Sequence, residues 1–357
     1  MNEHGGNIWT QDQKIRGKII DFSASINPLG FPKGVKNVIR KNIDSIVHYP
    51  APKSDDLKKS LANIHEIDSD NLLIGNGSIE LIYLIVGALG AQRVLIPIPT
   101  FSEYEFASRG ARAKCLFLKS NEKTGFKIDT EKLLRLIPQV DLVFLCNPNN
   151  PTGQLFKKMD ILEILSVCHK NNTILIIDEA FIDFVSGNKG EISLISEAAT
   201  LKNLLVLRSL TKKFAIPGLR LGYLVGERSL IRNISCHLYP WNVNRLAQVA
   251  GMEAIEDQAY IKKTELFINR ERSFLRKGLK GIEGVKLFDS TANYFLCKLE
   301  NRVAFDVNRL QEKLIDKNII IRNCSNFRGL SNRFFRVAIR KRADNVSLIK
   351  SLAEGLR

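Results

Sequence analysis

An α/β protein built on a mostly parallel central sheet covered on both faces is what this sequence predicts. Three observations carry the prediction. From about residue 70, short unbroken apolar runs alternate with amphipathic stretches, the pattern of strands alternating with helices. The runs are apolar at every position, as in strands covered on both faces. The chain has 357 residues, enough for more than one domain and a large core. In order, the strands are expected at Leu72-Leu-Ile, Arg93-Val-Leu-Ile-Pro, Lys114-Cys-Leu-Phe-Leu, Asp141-Leu-Val-Phe-Leu, Thr173-Ile-Leu-Ile-Ile and Asn203-Leu-Leu-Val-Leu. Between the fourth and fifth, the run from Lys158 to His169 places apolar residues at helical spacing.

Composition narrows the class. With 45% hydrophobic and 25% charged residues the chain is an ordinary globular protein. Its longest apolar run, Leu81 to Ala91, is broken by Gly87 and Gly90 and is too short to span a bilayer. No apolar leader opens the sequence, and six scattered cysteines form no CxxC pair, so a cytoplasmic protein with reduced thiols and no metal site is expected. The net charge of +16 is spread along the chain without a nucleic-acid-binding module. It is better read as attraction for anionic small molecules than as a nucleic-acid footprint.

Ligands of such sheets bind beyond the carboxyl ends of the strands, and the residues there are chemically distinctive. The first strand runs into Gly75-Asn-Gly-Ser and the second into Pro99-Thr-Phe-Ser-Glu-Tyr. The fourth leads to Asn147-Pro-Asn-Asn-Pro-Thr-Gly, the fifth to Asp178-Glu-Ala-Phe and the sixth to Arg208-Ser-Leu-Thr-Lys-Lys. Taken singly, each has an ordinary reading: turn residues, a capping acid, a surface lysine. Together they supply what pyridoxal 5'-phosphate needs. Lys212 offers an amine, Asp178 a carboxylate for the ring nitrogen, Asn150 a donor to the phenolic oxygen and Phe101 an aromatic face, with Tyr104 near the same wall. Gly77, Ser78 and Ile79 would begin a helix whose free amides take the phosphate, with Ser78 as its N-cap. Ser209 and Arg220 would complete that anion site.

In residue type, order and spacing this series resembles the fold-type I superfamily of aminotransferases, most specifically in Asn149-Asn-Pro-Thr-Gly, Asp178-Glu-Ala and Ser209-Leu-Thr-Lys followed by Gly218-Leu-Arg-Leu-Gly. The resemblance implies that Lys212, and not Lys213, is the Schiff-base lysine, and burial beside the cofactor would disfavour its protonated form. Phe181 stands where many aminotransferases carry a tyrosine that reaches the phenolic oxygen, which leaves that task to Asn150.

Further stretches resemble the histidinol-phosphate aminotransferase-like branch, nearest the threonine-phosphate decarboxylases of cobalamin biosynthesis. These are His4-Gly-Gly-Asn with Asp21-Phe-Ser-Ala-Ser-Ile-Asn-Pro-Leu-Gly, Pro240-Trp-Asn-Val-Asn, and Ile321-Arg-Asn-Cys with Phe335-Arg-Val-Ala-Ile-Arg. Ser25 stands where many members have asparagine. The resemblance implies Arg336 for the substrate carboxylate, and Arg322, His4 and Asn27 for the substrate phosphate. Arg340 reads equally well as strand-edge charge. It implies decarboxylation of a phosphorylated amino acid, threonine or serine phosphate; the alternative is aminotransfer on histidinol phosphate or a related compound. It also implies a homodimer with a composite site, in which Tyr49 of His48-Tyr-Pro reaches the cofactor phosphate of the other subunit. Residues 1–45 would belong to a smaller α/β domain, 46–250 would form the large cofactor domain, and 251–357 the rest of the small domain.

Overall fold

The computed structural model describes residues 4–9 and 18–356. Near its start a two-residue strand, β1 (Ile20–Asp21), pairs in parallel with the much later β11 (Ile319–Ile320). The large sheet comprises β2 (Leu72–Gly75), β3 (Arg93–Ile98), β4 (Lys114–Lys119), β5 (Leu142–Cys146), β6 (Ile174–Asp178), β7 (Leu204–Ser209) and β8 (Gly222–Gly226), in the spatial order β2-β8-β7-β6-β5-β3-β4. Each of the six expected apolar runs forms a strand. Only β8 runs against the others, being antiparallel to both β7 and β2. The smaller sheet is antiparallel and contains β9 (Val285–Leu287), β10 (Tyr294–Leu299), β12 (Arg322–Asn323) and β13 (Phe334–Ala338), in the order β12-β13-β10-β9.

Two apolar layers sandwich the large sheet. Val143, Leu145, Leu175, Ile177 and Val206 face one layer, and Phe144, Ile176, Leu205, Leu207 and Leu224 face the other. Alternate residues of one strand thus serve opposite layers, as the twofold period requires. A third core, around Tyr294, Phe295, Phe335 and Val337, lies under the small sheet. The N-terminal segment serves both: Phe22 joins the small-sheet core, whereas Val35, on the helix Lys33–Asn42, joins the large-sheet core. Among the described residues no helix is long and apolar enough to cross a membrane.

Candidate active site

A cavity of about 350 Å³ opens at the carboxyl ends of the parallel strands. Gly77, Ser78, Ile79, Ser209 and Arg220 line one end of it, and Phe101, Asn150, Asp178 and Lys212 line its floor and wall. Gly77 is the N-cap of the helix Ser78–Ala88 with φ +79°, and Ser78 is the first helical residue. This corrects the expectation that Ser78 caps the helix: no side chain caps it. The left-handed backbone and the crowding at residue 77 both favour glycine, since a Cβ there would lie 2.3 Å from Arg220 Nη2. The helix amides and the Arg220 guanidinium therefore converge without an intervening side chain.

Of the twin asparagines, Asn149 is a scaffold. Its Oδ1 accepts from the Thr100 hydroxyl (2.7 Å), and its Nδ2 donates to Pro99 O (2.9 Å) and Thr152 Oγ1 (2.8 Å). Asn150 faces the cavity, its Oδ1 accepting from Arg336 Nη1. Asp178 ends β6 in a buried setting that pushes its carboxyl upward. The Tyr104 hydroxyl on Oδ2 (2.7 Å), the Ala180 N–H on Oδ1 (2.9 Å) and the charge of Lys212 pull the other way. Tyr104 is fully buried, with its ring stacked on Phe144 at 4.7 Å. Among the described residues Lys212 meets no carboxylate at hydrogen-bond distance; its Nζ has Thr211 Oγ1 at 3.5 Å. Burial, and then the positive charge of Arg220, lower its pKa to about 8; Asp178 pulls the other way, and Arg336 adds a smaller downward push. Such an amine becomes mostly free base only above about pH 8, well below the range of an ordinary lysine, which suits a nucleophile.

The far side of the cavity belongs to the small sheet and the N-terminal segment. Arg322 and Arg336 are direct cross-strand partners of β12 and β13, and both are buried and line the cavity. Like charges placed opposite one another destabilise a sheet unless something negative lies between them. Arg336 Nη2 donates to Ser23 O (2.8 Å), whereas its buried Nε has no partner among the described residues. Arg322 Nη2 donates to Asn326 Oδ1 (2.9 Å), and its guanidinium lies over Phe327 at 5.2 Å. His4 reaches the same cavity with its Nε2 2.8 Å from Glu103 Oε1. Ser25 also lines it, with a buried hydroxyl that lacks a partner among the described residues.

Asn27 is the exception. It is 2% exposed and absent from the cavity wall, because its amide is spent on Lys213 O and Thr264 Oγ1. The expectation that it touches a substrate phosphate is corrected accordingly. Tyr49 is not in this cavity either; it is 81% exposed, with its ring 4.8 Å from Trp241. Arg340 Nε lies 3.5 Å from Asp344 Oδ2, outside the cavity. A larger cleft of about 790 Å³ along the helix Arg228–Ser235 gathers none of these groups.

Residues 17–352 match the family Aminotransferase class I and II. The chain belongs to this family. Over 354 residues it is 36% identical to the threonine-phosphate decarboxylase of Salmonella typhimurium, covering 98% of this chain and 95% of that protein. Among solved structures it resembles the histidinol-phosphate aminotransferase of Clostridium acetobutylicum, with a TM-score of 0.86 and 33% identity over 93% of this chain and 98% of that one. It also resembles the L-threonine-O-3-phosphate decarboxylase of Porphyromonas gingivalis, with a TM-score of 0.83 and 29% identity over 93% of this chain and 98% of that one.

The cofactor of this aminotransferase family is pyridoxal phosphate, and the donor set fits it. The anion end is built from helix amides, Ser209 and Arg220; a buried carboxylate and a deprotonatable lysine lie further in. Two contributions escaped sequence reasoning. Tyr104 was placed in the wall, but its bond to Asp178 was not foreseen. Thr211, which links Ser209 Oγ (2.7 Å) to Lys212, could have been noticed as the residue directly before the lysine.

Proposed function

We propose that the protein is a pyridoxal-phosphate-dependent decarboxylase that converts L-threonine O-3-phosphate, or L-serine O-phosphate, into an amino-alcohol phosphate for cobalamin biosynthesis. The observation that carries this reading is the pair of buried arginines facing one another across β12 and β13. A substrate bearing both a carboxylate and a phosphate gives each a partner, whereas histidinol phosphate has no carboxylate for Arg336. The likeness to two threonine-phosphate decarboxylases supports the same choice.

When bound, pyridoxal phosphate supplies an aldehyde for the substrate amine and a protonated ring that draws electrons from the bond to be broken. The remaining work falls to the chain. Gly77, Ser78, Ile79, Ser209 and Arg220 hold the cofactor phosphate. Asp178, which accepts from the Tyr104 hydroxyl and the Ala180 amide, would hold the proton on the ring nitrogen. Asn150 offers Nδ2 to the phenolic oxygen, and Phe101 covers the ring. Arg336 would take the substrate carboxylate through its Nε, which has no partner among the described residues, and so help fix which bond of the amino acid is presented for cleavage. Arg322 and His4 take the substrate phosphate. Lys212 Nζ, or a nearby water, would then deliver a proton to the carbon that has lost carbon dioxide, so one proton replaces one carbon dioxide and no 2-oxo acid is consumed.

The domain division at 45 and 250 belongs to this reading, with β1 to Asn27 bridging the two parts. So does a homodimer: Ile46, Val47, Tyr49 and Tyr239 are exposed apolar or aromatic groups, which supports burial against a second copy that Tyr49 would help to complete. The six free cysteines support a cytoplasmic setting.

Product analysis tests the reaction. Carbon dioxide should appear from threonine or serine phosphate without 2-oxoglutarate; amino transfer from histidinol phosphate with no carbon dioxide from either amino-acid phosphate would overturn it. Truncating Arg322 should raise KM by the loss of a charge-assisted contact, roughly 1.5–3 kcal/mol, and truncating Arg336 should lower kcat as well. A fully active monomer in light scattering would remove Tyr49 from the site.

A further inference from the structure

The segment from Ser23 to Asn27 touches both chemical centres of the cavity. Ser23, Ala24, Ser25 and Ile26 line its wall, and the Ser23 carbonyl accepts from Arg336 Nη2 (2.8 Å). A tight turn follows, closed by Ile26 N on Ala24 O (3.0 Å). Asn27 then meets the lysine segment from behind. Its main-chain N–H donates to the Lys212 carbonyl (3.0 Å), and its Nδ2 donates to the Lys213 carbonyl (2.8 Å) and to Thr264 Oγ1 (2.8 Å). Its Oδ1 accepts from Leu29 N (3.1 Å). Tyr260, whose hydroxyl donates to Gly30 O (2.5 Å), lies 3.2 Å from the same Lys213 oxygen.

These contacts answer a physical need. Lys212 rides on a helix of only four residues, Leu210–Lys213, too short to hold its own direction. Its last carbonyls have no partner further along the helix, and Asn27 supplies two donors to them. Four peptide links separate Ser23 from Asn27, a reach of at most about 14 Å. The segment therefore ties the backbone of the cofactor lysine to the arginine that meets the substrate carboxylate.

We propose that Asn27 is a positioning residue: it fixes the direction of the Lys212 amine relative to Arg336, and so helps decide which bond of the bound amino acid is broken. The second clause rests on the decarboxylase reading; the first does not.

The test compares wild-type protein with Asn27→Ala and Thr264→Val. The first variant removes the side-chain donor and leaves the Arg336 contact intact. The second removes one of that donor's two acceptors. Without substrate, the visible band of the cofactor-loaded protein should persist in Asn27→Ala. Its pH midpoint should move by about half a unit or more, a few-fold change in the proton equilibrium. In cofactor-free protein, the pH midpoint for acylation of Lys212 should move as well. With threonine phosphate, kcat should fall about 10- to 100-fold while KM stays within about threefold, the pattern of a misaimed group rather than lost binding. A measurable share of turnovers should also end in amino transfer. Thr264→Val should change each readout in the same direction by less, and it decides the matter if Asn27→Ala does not fold. The proposal is overturned if both midpoints and kcat match wild type within about twofold, or if the losses merely track lower cofactor occupancy or melting temperature. Wild-type protein that releases no carbon dioxide would sink the decarboxylase reading, while the substrate-free midpoints would still judge Asn27.

Discussion

Lys212 and Lys213 are neighbours on one short helix and meet opposite surroundings. On the cavity side, Lys212 has no carboxylate at bonding distance among the described residues, two arginines nearby, and a pKa lowered to about 8. On the other side, Lys213 Nζ pairs with Asp183 Oδ1 (3.1 Å). Arg208 joins the same carboxylate at 3.0 Å and Glu179 at 3.1 Å, and Glu179 also accepts from Ser193 Oγ and the Leu194 N–H. Arg208 and Lys213 hold Asp183 well below the usual carboxylate range despite its burial. One face leaves a charge poorly compensated, which makes the amine reactive. The other compensates every charge, which makes it a brace. Reactivity here comes from which partners are withheld, since the residue type is the same.

The largest expected contrast is chemical. Lys212→Ala should abolish the cofactor's visible band shift and all turnover, whereas Lys213→Ala should keep most of both, because Asp183 retains Arg208. Equal losses in absorbance and assay would erase the distinction. Next comes stability. Arg208→Ala leaves Glu179 and Asp183 buried without their main counter-charge, and denaturant unfolding should register a loss of roughly 3–5 kcal/mol. If the variant is as stable as wild type, the network is not a brace.

Smaller effects should separate the two faces by pH. The folded-state pKa of Lys212, about 8, lies below its ordinary 10.5, so between those values the unfolded chain binds the extra proton. Cofactor-free protein should therefore gain stability as pH rises from about 8 to 10.5, and Lys212→Met should remove that gain from paired melting curves. On the brace side, His65 lies 2.8 Å from the Tyr223 hydroxyl, and burial followed by the charge of Arg208 lowers its pKa from 6.5 to about 4. The sign is the same and the window differs: stability should fall as pH drops from 6.5 towards 4, and His65→Gln should flatten that limb.

The cofactor half of the site was legible in the sequence because each of its groups follows an apolar strand, and strand ends in a parallel sheet converge. The lysine assignment needed the motif around it, since periodicity treats Lys212 and Lys213 alike. What stayed hidden depends on contacts between distant segments. Asn27 and Thr264 are 237 residues apart, and Tyr104 and Asp178 are 74 apart; no local pattern records either pair. Asn27 was placed in the right neighbourhood with the wrong partner, because a motif reports proximity and says nothing about which way an amide turns. The Ser78 cap failed similarly: a serine at a helix start satisfies the capping preference, yet the tight approach of Arg220 puts glycine in the capping position.

The reversed strand β8 has a consequence of its own. Because β7 and β8 are antiparallel neighbours, Ser209 and Gly222 sit opposite one another, and Leu210 N bonds to Leu221 O (3.2 Å). The twelve residues between them form an arch zipped at its base, and that arch carries both Lys212 and Arg220. The spacing of the lysine from the phosphate-binding arginine is therefore set within one hairpin. Arg322 and Arg336 stand outside that arch, on the small sheet, so the lysine-to-phosphate geometry is built into the hairpin while the lysine-to-Arg336 geometry depends on the Ser23–Asn27 tether that bonds to both.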